Sequence, residues 1–220
     1  MHKLLSLGDC NTQGIGSSAY DAYPEKLAKR LKASLLNGGN TMSTTREGVR
    51  FFQDNFTPDV KIITIQYGLV DSWKTFRYAP YVLYYPDSRW RKFARKVAKK
   101  FKKIGRSLKL KALLGEVGVV PLDEYASNIC SIIEAAKTTP VILIETIPNQ
   151  ETHRNEAIRS YNKRLEDIAK RYPQVYVLKT YEAFEKNMDG YYLDQTRINH
   201  SGHEFLVKEL ESLIKDFQLL

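Results

Sequence analysis

The residues that could do chemistry lie near the two ends of the chain. Cys10 carries a thiol, and Asp194, Arg197, His200 and His203 lie within ten residues of one another near the C-terminus. A cysteine attacks an acyl carbon only as its thiolate, so it requires a base or a positive field. Histidine is the usual base, and a carboxylate orients it. These residue types are those of nucleophilic and acid–base chemistry, provided that the fold brings the two ends together.

Short apolar runs rich in β-branched residues alternate with helical patterns, which is typical of a parallel sheet covered on both faces. Five such runs predict a three-layer α/β/α sandwich of flavodoxin-like strand order, in a single domain over residues 1–220. In such sheets, sites form at the carboxyl ends of the strands. The predicted strands are Leu4–Leu7, Ser34–Leu36, Val60–Tyr67, Val141–Ile147 and Val175–Leu178, and the predicted helices are Pro24–Lys32, Thr45–Gln53, Trp90–Leu113, Leu122–Lys137, Asn155–Arg171 and Ser201–Phe217.

Four short blocks follow predicted strands or close the chain. Gly8-Asp9-Cys10-Asn11-Thr12 ends the first strand, residues 37–45 follow the second, Gly68-Leu69-Val70-Asp71 follows the third, and residues 194–203 precede the last helix. In order and position, these blocks resemble the signature blocks of the SGNH (GDSL-type) ester hydrolases. The resemblance covers nearly the whole chain apart from residues 72–118, and it implies the SGNH hydrolase fold.

The resemblance also assigns catalytic positions. In the family, a serine attacks the acyl carbon and a histidine, three residues after an aspartate, takes its proton. A glycine amide and an asparagine side chain help to bind the oxyanion. Here Asp194 keeps the aspartate position, but Cys10 stands at the serine position and Arg197 at the histidine position. Met42 stands at the glycine position and Val70 at the asparagine position. Asp71, which follows Val70, is a further candidate binding residue on the oxyanion side.

Each replacement has a chemical consequence. Arginine does not deprotonate in proteins, so Arg197 cannot be the base, and we expect it to pair with Asp194. Valine offers no donor to an oxyanion, and the loss of one such donor costs on the order of 100- to 1000-fold in turnover. Met42 keeps its amide but adds a flexible side chain where glycine has none. The sequence therefore predicts that the family's ester hydrolysis is close to abolished.

Two interpretations of Cys10 stay open. In one, it is a working nucleophile with His200 as a displaced base, which gives a thiol-based esterase or acyltransferase acting on an acylated carbohydrate. In the other, it is a small, partly buried residue in the place of the serine. His203 matches a Gly-His pair that commonly has no catalytic role in the family, and His153 is more typical of a loop.

The positive charge is concentrated in one segment. The chain carries a net charge of +9, but residues 72–112 hold 14 lysines and arginines and a single acid, Asp87, which leaves −4 for the rest. This segment forms a predicted insertion of about residues 72–118 between strands three and four. From Trp90 onward its apolar residues lie three or four apart, which predicts an amphipathic helix with a basic outer face. The apolar stripe either packs on the domain as a lid, or residues 86–113 contact an anionic surface or a membrane.

The first functional hypothesis is an SGNH pocket that binds a small acyl or carbohydrate ligand without turnover. A thiol enzyme and an anionic-surface protein are the alternatives. No cofactor is expected, and no metal, because no zinc-type spacing of cysteine and histidine occurs. Sequence-specific nucleic-acid binding is not expected, since no recognition motif is present. Two cysteines and the absence of a secretory pattern at the N-terminus predict a cytoplasmic location.

Overall fold

The computed structural model describes residues 2–14 and 16–219. Its strands are β1 (Lys3–Gly8), β2 (Ser34–Gly39), β3 (Val60–Gln66), β4 (Lys74–Phe76), β5 (Glu116–Gly118), β6 (Val141–Ile144) and β7 (Val175–Leu178). Five of them form a parallel sheet in the order β2-β1-β3-β6-β7, while β4 and β5 pair antiparallel outside it. With those two left out, the order is 2-1-3-4-5 along the chain. The predicted flavodoxin-like sheet is therefore confirmed.

Helices cover both faces of the sheet. They are α1 (Cys10–Gln13), α2 (Tyr23–Arg30), α3 (Thr45–Asn55), α4 (Arg89–Ser107), α5 (Leu110–Leu114), α6 (Leu122–Ala136), α7 (Asn155–Ala169), α8 (Tyr181–Lys186), α9 (Met188–Tyr191) and α10 (His200–Asp216). Side chains of α3, α6 and α7 pack on one face of the sheet, and those of α2, α8 and α10 pack on the other. Because both faces are buried, the central strands are apolar at nearly every position.

The insertion departs from the predicted arrangement in two ways. The run predicted as one helix from Trp90 to Leu113 is broken, because Lys109 adopts a left-handed conformation (φ 53°) between α4 and α5. The interpretation in which the apolar stripe packs on the domain is wrong, since the stripe lies in solvent. Small residues face inward instead, and a Cβ added at Gly105 would lie 2.6 Å from the ring of Phe76. The helix therefore approaches the domain closely at Gly105.

A buried carboxylate fastens the insertion to α3. Glu47 accepts hydrogen bonds from the hydroxyl of Tyr81 (2.9 Å) and from the backbone N–H of Tyr84 (2.7 Å). The same carboxylate closes a capping box with Thr44 at the start of α3. The guanidinium of Arg46 lies 5.0 Å from the centre of the Tyr81 ring. The aromatic part of the insertion therefore packs against the first turn of α3.

Helix α1 lies directly against the end of β2, and this contact sets the position of Cys10. A Cβ added at Gly39 would lie 2.3 Å from the backbone nitrogen of Gln13 and 2.5 Å from the carbonyl carbon of Thr12. Backbone atoms of a packed helix cannot move aside as a side-chain end can. The glycine is thus required by the close approach of the two elements.

We predict that Gly39→Ala destabilises the protein by roughly 2 to 3 kcal/mol, because α1 must shift away from β2. The matched control is Gly38→Ala, whose added Cβ would meet mainly the ring of Phe51, at 2.6 Å. A half-buried ring can rotate away, so this control should cost roughly half as much or less. Urea unfolding of both variants measures the difference. Equal losses of unfolding free energy would contradict the proposed contact.

Candidate active site

Cys10 is the first residue of α1, directly after the end of β1. Its side chain is partly buried and packs against Leu69, Ile158 and Tyr181. Burial, followed by the charge of Asp9, raises the pKa of the Cys10 thiol well above its ordinary value, and the charge of Arg197 offsets only part of this. The thiol is therefore protonated at neutral pH, which makes it a weak nucleophile.

Asn11 joins the two ends of the chain at this edge of the sheet. Its side-chain amide donates to the carbonyl oxygen of Thr196 (3.0 Å), and its side-chain oxygen accepts the backbone N–H of Ile198 (3.0 Å). These bonds hold the loop that carries Asp194 and Arg197 against α1. Cys10 and Asp194 thus lie at the same edge. Asn11 belongs to the first block but had no predicted role, although an amide beside the nucleophile position was a usable signal.

Arg197 takes up the hydrogen-bonding capacity of Asp194. Its guanidinium donates from Nε to Oδ2 of Asp194 (2.5 Å) and also from Nη2 to the same oxygen. The other oxygen accepts the backbone N–H groups of Thr196 (3.0 Å) and Arg197 (2.9 Å). Burial by itself raises the pKa of Asp194, but the Arg197 side chain and these N–H groups lower it to about 2. The Asp194 carboxylate is therefore ionised, and it pairs with Arg197 at the position where the family has an imidazole.

The histidines lie elsewhere. Nδ1 of the exposed His200 is 3.5 Å from Asp21 Oδ2, and Nε2 is 3.9 Å from Glu204 Oε1. The structure thus places His200 beside these acids rather than against Cys10. His203 is buried, and its Nδ1 accepts the backbone N–H of Tyr23 (3.1 Å). Burial lowers the pKa of His203 to about 4, so its ring is neutral. The exposed His153 lies on a short 3₁₀ turn over Thr152–Arg154.

The two positions that the resemblance assigns to the oxyanion side are occupied by Met42 and Val70. Met42 has a φ of 66°, in the left-handed region that favours glycine. This conformation agrees with its assignment to the glycine position. Val70 is buried after Gly68 and presents only methyl groups. Position 42 therefore has a backbone conformation that favours glycine, and the side chain at position 70 offers no hydrogen-bond donor.

Asp71 has a structural partner. Its Oδ1 accepts the backbone N–H of Thr45 (2.9 Å) and the Thr45 hydroxyl (2.8 Å) at the start of α3. Its Oδ2 is buried without a hydrogen-bond partner in the part of the chain that the structure describes. Burial raises the pKa of Asp71 to about 7. Asp71 therefore orients α3, and half of its carboxylate is left unsatisfied.

A cavity of about 610 Å³ separates these residues from the insertion. Met42 and Val70 line it, together with Trp73, whose indole N–H is buried without a partner among the described residues. Among the described residues, neither Cys10 nor Asp194 lies in its wall, and no carboxylate does. The other apolar lining residues are Phe76, Pro80, Val82, Ala98 and Val119, and the cations are Lys74, Arg95, Lys99, Lys100, Lys102, Lys103, Arg106 and Lys111.

The arrangement matches a known family. The model of the GDSL-like lipase/acylhydrolase family matches residues 6–205. The chain belongs to this family. No curated protein sequence matches it significantly. Membership and sheet topology together confirm the SGNH assignment made from the four blocks.

Solved structures of GDSL-like and related hydrolases share the fold at low sequence identity. A lipase/acylhydrolase from Enterococcus faecalis has a TM-score of 0.69 at 14% identity, covering 98% of this chain and 96% of its own. An acetylxylan esterase from Geobacillus stearothermophilus has a TM-score of 0.62 at 19% identity, covering 95% and 92%. An alpha/beta hydrolase enzyme from the metagenome of Lake Arreo, Spain, has a TM-score of 0.62 at 18% identity, covering 96% and 94%.

We predict that Asp71→Asn changes how stability depends on pH. The ordinary pKa of 3.8 applies to the unfolded chain and about 7 to the folded protein. Between these values the unfolded chain loses its proton first, so the free energy of unfolding falls as pH rises through this window. The variant lacks this loss. The free energy of unfolding of the variant minus that of the parent should therefore increase by on the order of 1 to 4 kcal/mol between about pH 4 and pH 8.

The control is Asp194→Asn, because the folded pKa of Asp194 is lowered to about 2. Its ionised form stabilises the fold above the unfolded pKa, and this contribution is lost as pH falls toward 2. Urea unfolding at several pH values measures both variants. If the stability of Asp71→Asn parallels that of the parent at every pH, the side chain titrates normally.

A second prediction concerns the reactivity of Cys10. In a Cys130→Ser background, iodoacetamide at about pH 8 should label the native protein at least about 100-fold more slowly than the urea-unfolded chain, because the thiolate is scarce. Asp9→Asn should speed the reaction, since it removes a charge that raises the pKa of the thiol. Asp54→Asn, which alters a carboxylate at the end of α3, should not. Equal labelling of native and unfolded protein would mean that Cys10 is an activated thiol.

Proposed function

We propose that this chain is a non-hydrolytic member of the GDSL-like family, which retains the pocket and binds a small acyl or carbohydrate-type ligand without turning it over. The observation that carries the proposal is the pair of Arg197 and Asp194. Arg197 stands where the family has its general base and cannot accept a proton. Its guanidinium also occupies the carboxylate that would orient an imidazole.

The nucleophile position supports the same proposal. A thiol enzyme needs a base near Cys10 or a field that stabilises the thiolate. Burial and Asp9 act in the opposite direction. His200, the candidate base, has its ring nitrogens near Asp21 and Glu204. The thiol-based esterase or acyltransferase acting on an acylated carbohydrate is therefore the weaker alternative.

The ligand follows from the walls of the cavity. Met42, Val70 and Trp73 offer apolar contacts. In the part of the chain that the structure describes, eight cations and no carboxylate line the rest of the wall. An acyl or sugar derivative with a carboxylate or phosphate group fits this surface better than an uncharged one, because such a group balances the positive charge.

We predict that the purified protein hydrolyses p-nitrophenyl acetate and acetylated xylose no faster than Cys10→Ala, within about twofold. The physical reason is that both the proton acceptor and the asparagine donor are missing. Rates are measured from about pH 6 to pH 9, which spans thiol ionisation. A rate that disappears in Cys10→Ala would reject the proposal in favour of the thiol enzyme.

The reverse experiment restores the family's residues. Cys10→Ser, Val70→Asn and Arg197→His together should raise the rate by at least about tenfold over any single change, because the groups act as one assembly. Adding Met42→Gly opens the approach to the acyl carbon. The matched control adds Asp194→Asn to the triple variant and should lose the gain. A folded triple variant that gains nothing would contradict the assignment of these positions.

A further inference from the structure

Helix α4 exposes a continuous apolar stripe. Its members lie three or four residues apart and are each 49% to 83% exposed: Trp90, Phe93, Val97, Phe101, Ile104 and Leu108. None of them lines the cavity beneath the helix. Contiguous apolar surface of this kind marks a contact site, because leaving it in water costs free energy.

Most cations of the same helix lack acidic partners. Asp87 pairs with Lys92 (2.9 Å) and with Arg95 (2.6 Å). Within the described part of the chain, the other cations of α4 form no ion pair. They are Arg89, Arg91, Lys96, Lys99, Lys100, Lys102, Lys103 and Arg106. A helix with an exposed apolar stripe beside unneutralised positive charge suits a surface that is both apolar and anionic.

We propose that α4 binds the protein to the surface of an anionic lipid bilayer. The stripe lies at the boundary between headgroups and acyl chains, and the neighbouring lysines and arginines contact lipid phosphates. The helix has 19 residues and is about 28 Å long, so it lies along the surface as one amphipathic element. No helix in the described residues is long and apolar enough to cross a membrane. This docking is independent of whether the active site turns over a ligand.

The positive charge around the stripe favours a bilayer over two other binding partners, a second copy of the chain and a nucleic acid. A second copy of the chain would bring two segments of net charge +13 together, and their repulsion opposes a dimer through α4. A nucleic acid would satisfy the cations, but it would leave the stripe in water. An anionic bilayer satisfies both surfaces of the helix at once.

The attachment of α4 leaves the stripe available. Ala94 and Ala98 are half-buried, and Gly105 lies against Phe76, so the helix contacts the domain through its small residues. Arg95 donates to the backbone oxygen of Leu83 (2.9 Å) and holds the start of the helix in place. Docking therefore requires no rearrangement of the helix.

Flotation with lipid vesicles tests the proposal. The full-length protein is mixed with vesicles of phosphatidylcholine alone, or of phosphatidylcholine and phosphatidylglycerol in equal parts, at low and at raised salt. We expect binding to the anionic vesicles at least about tenfold stronger than to the neutral ones, with a decrease at raised salt. Equal binding to both compositions, or to neither at low salt, would overturn the proposal.

Two sets of substitutions separate the stripe from the charges. Trp90→Ser with Phe93→Ser removes two of the most exposed apolar side chains, and Lys96→Gln, Lys100→Gln and Lys103→Gln remove three charges. Each set should weaken binding at least about tenfold. Matched controls are Tyr20→Ser, which removes another highly exposed ring, and the triple change Lys61→Gln, Lys163→Gln and Lys208→Gln. Both controls should bind like the parent, and circular dichroism verifies that every variant is folded.

Quenching of Trp90 by brominated acyl chains provides the second measurement. Insertion of Trp90 at the acyl boundary should quench the part of the parent's fluorescence that is missing in the Trp90→Phe variant. The other tryptophan, Trp73, lines the cavity and accounts for the remaining fluorescence. Salt-sensitive binding without this quenching, or with full binding by the stripe variant, would mean adsorption by charge alone and would overturn the proposal. Dimerisation that depends on the stripe, or tighter binding to RNA than to anionic vesicles, would also overturn it.

Discussion

The arrangement of the site depends on the side chain of Asn11. Its amide bonds to the backbone at Thr196 and Ile198, although 185 and 187 residues separate the partners. These two bonds fasten the closing loop to α1 and thereby place Asp194 at the edge that carries Cys10. Once the loop is held there, the side chain at position 197 decides how the carboxylate is used. A guanidinium turns Asp194 into one half of an ion pair, whereas an imidazole would use it for orientation. The side chain at position 197 therefore decides whether Asp194 is held in an ion pair or is left to orient another group.

Buried carboxylates near this edge differ in what they bond to. Glu47 is surrounded by donors from Thr44, Tyr81 and Tyr84, and it joins the insertion to α3. Asp71 is satisfied on one oxygen only, and burial raises its pKa to about 7. Asp9 accepts the backbone N–H of Asn11, and burial raises its pKa to about 6. A buried carboxylate that is not fully bonded keeps its proton to a higher pH. Asp194 differs from Asp71 and Asp9, because its pairing with Arg197 lowers its pKa to about 2.

The sheet was predictable from sequence because burial on both faces leaves a simple pattern of apolar runs separated by helical periods. The ordered blocks located Cys10, Met42, Val70 and Asp194 at strand ends or in the closing loop. Other features left no such pattern. The period of the apolar residues in α4 shows that a stripe exists, but which side of the helix meets the domain depends on Gly105 fitting against Phe76. The break at Lys109 has no glycine or proline to mark it. The role of Asn11 depends on partners far away in the sequence, which local patterns do not contain.

The two ends of the insertion lie side by side. The backbone N–H of Val119 donates to the carbonyl oxygen of Trp73 (2.8 Å), and that of Val120 donates to Asp71 (3.1 Å). The chain thus leaves and re-enters the core through a single antiparallel ladder, which β4 and β5 extend outward. The registers of β3 against β1 and β6 are set by bonds within the sheet. Because the closure entropy of a loop grows only slowly with its length, a longer or shorter segment beyond this ladder adds little to the free-energy cost of closing the loop. The insertion is modular, and the surface it presents can diverge independently of the fold that carries it.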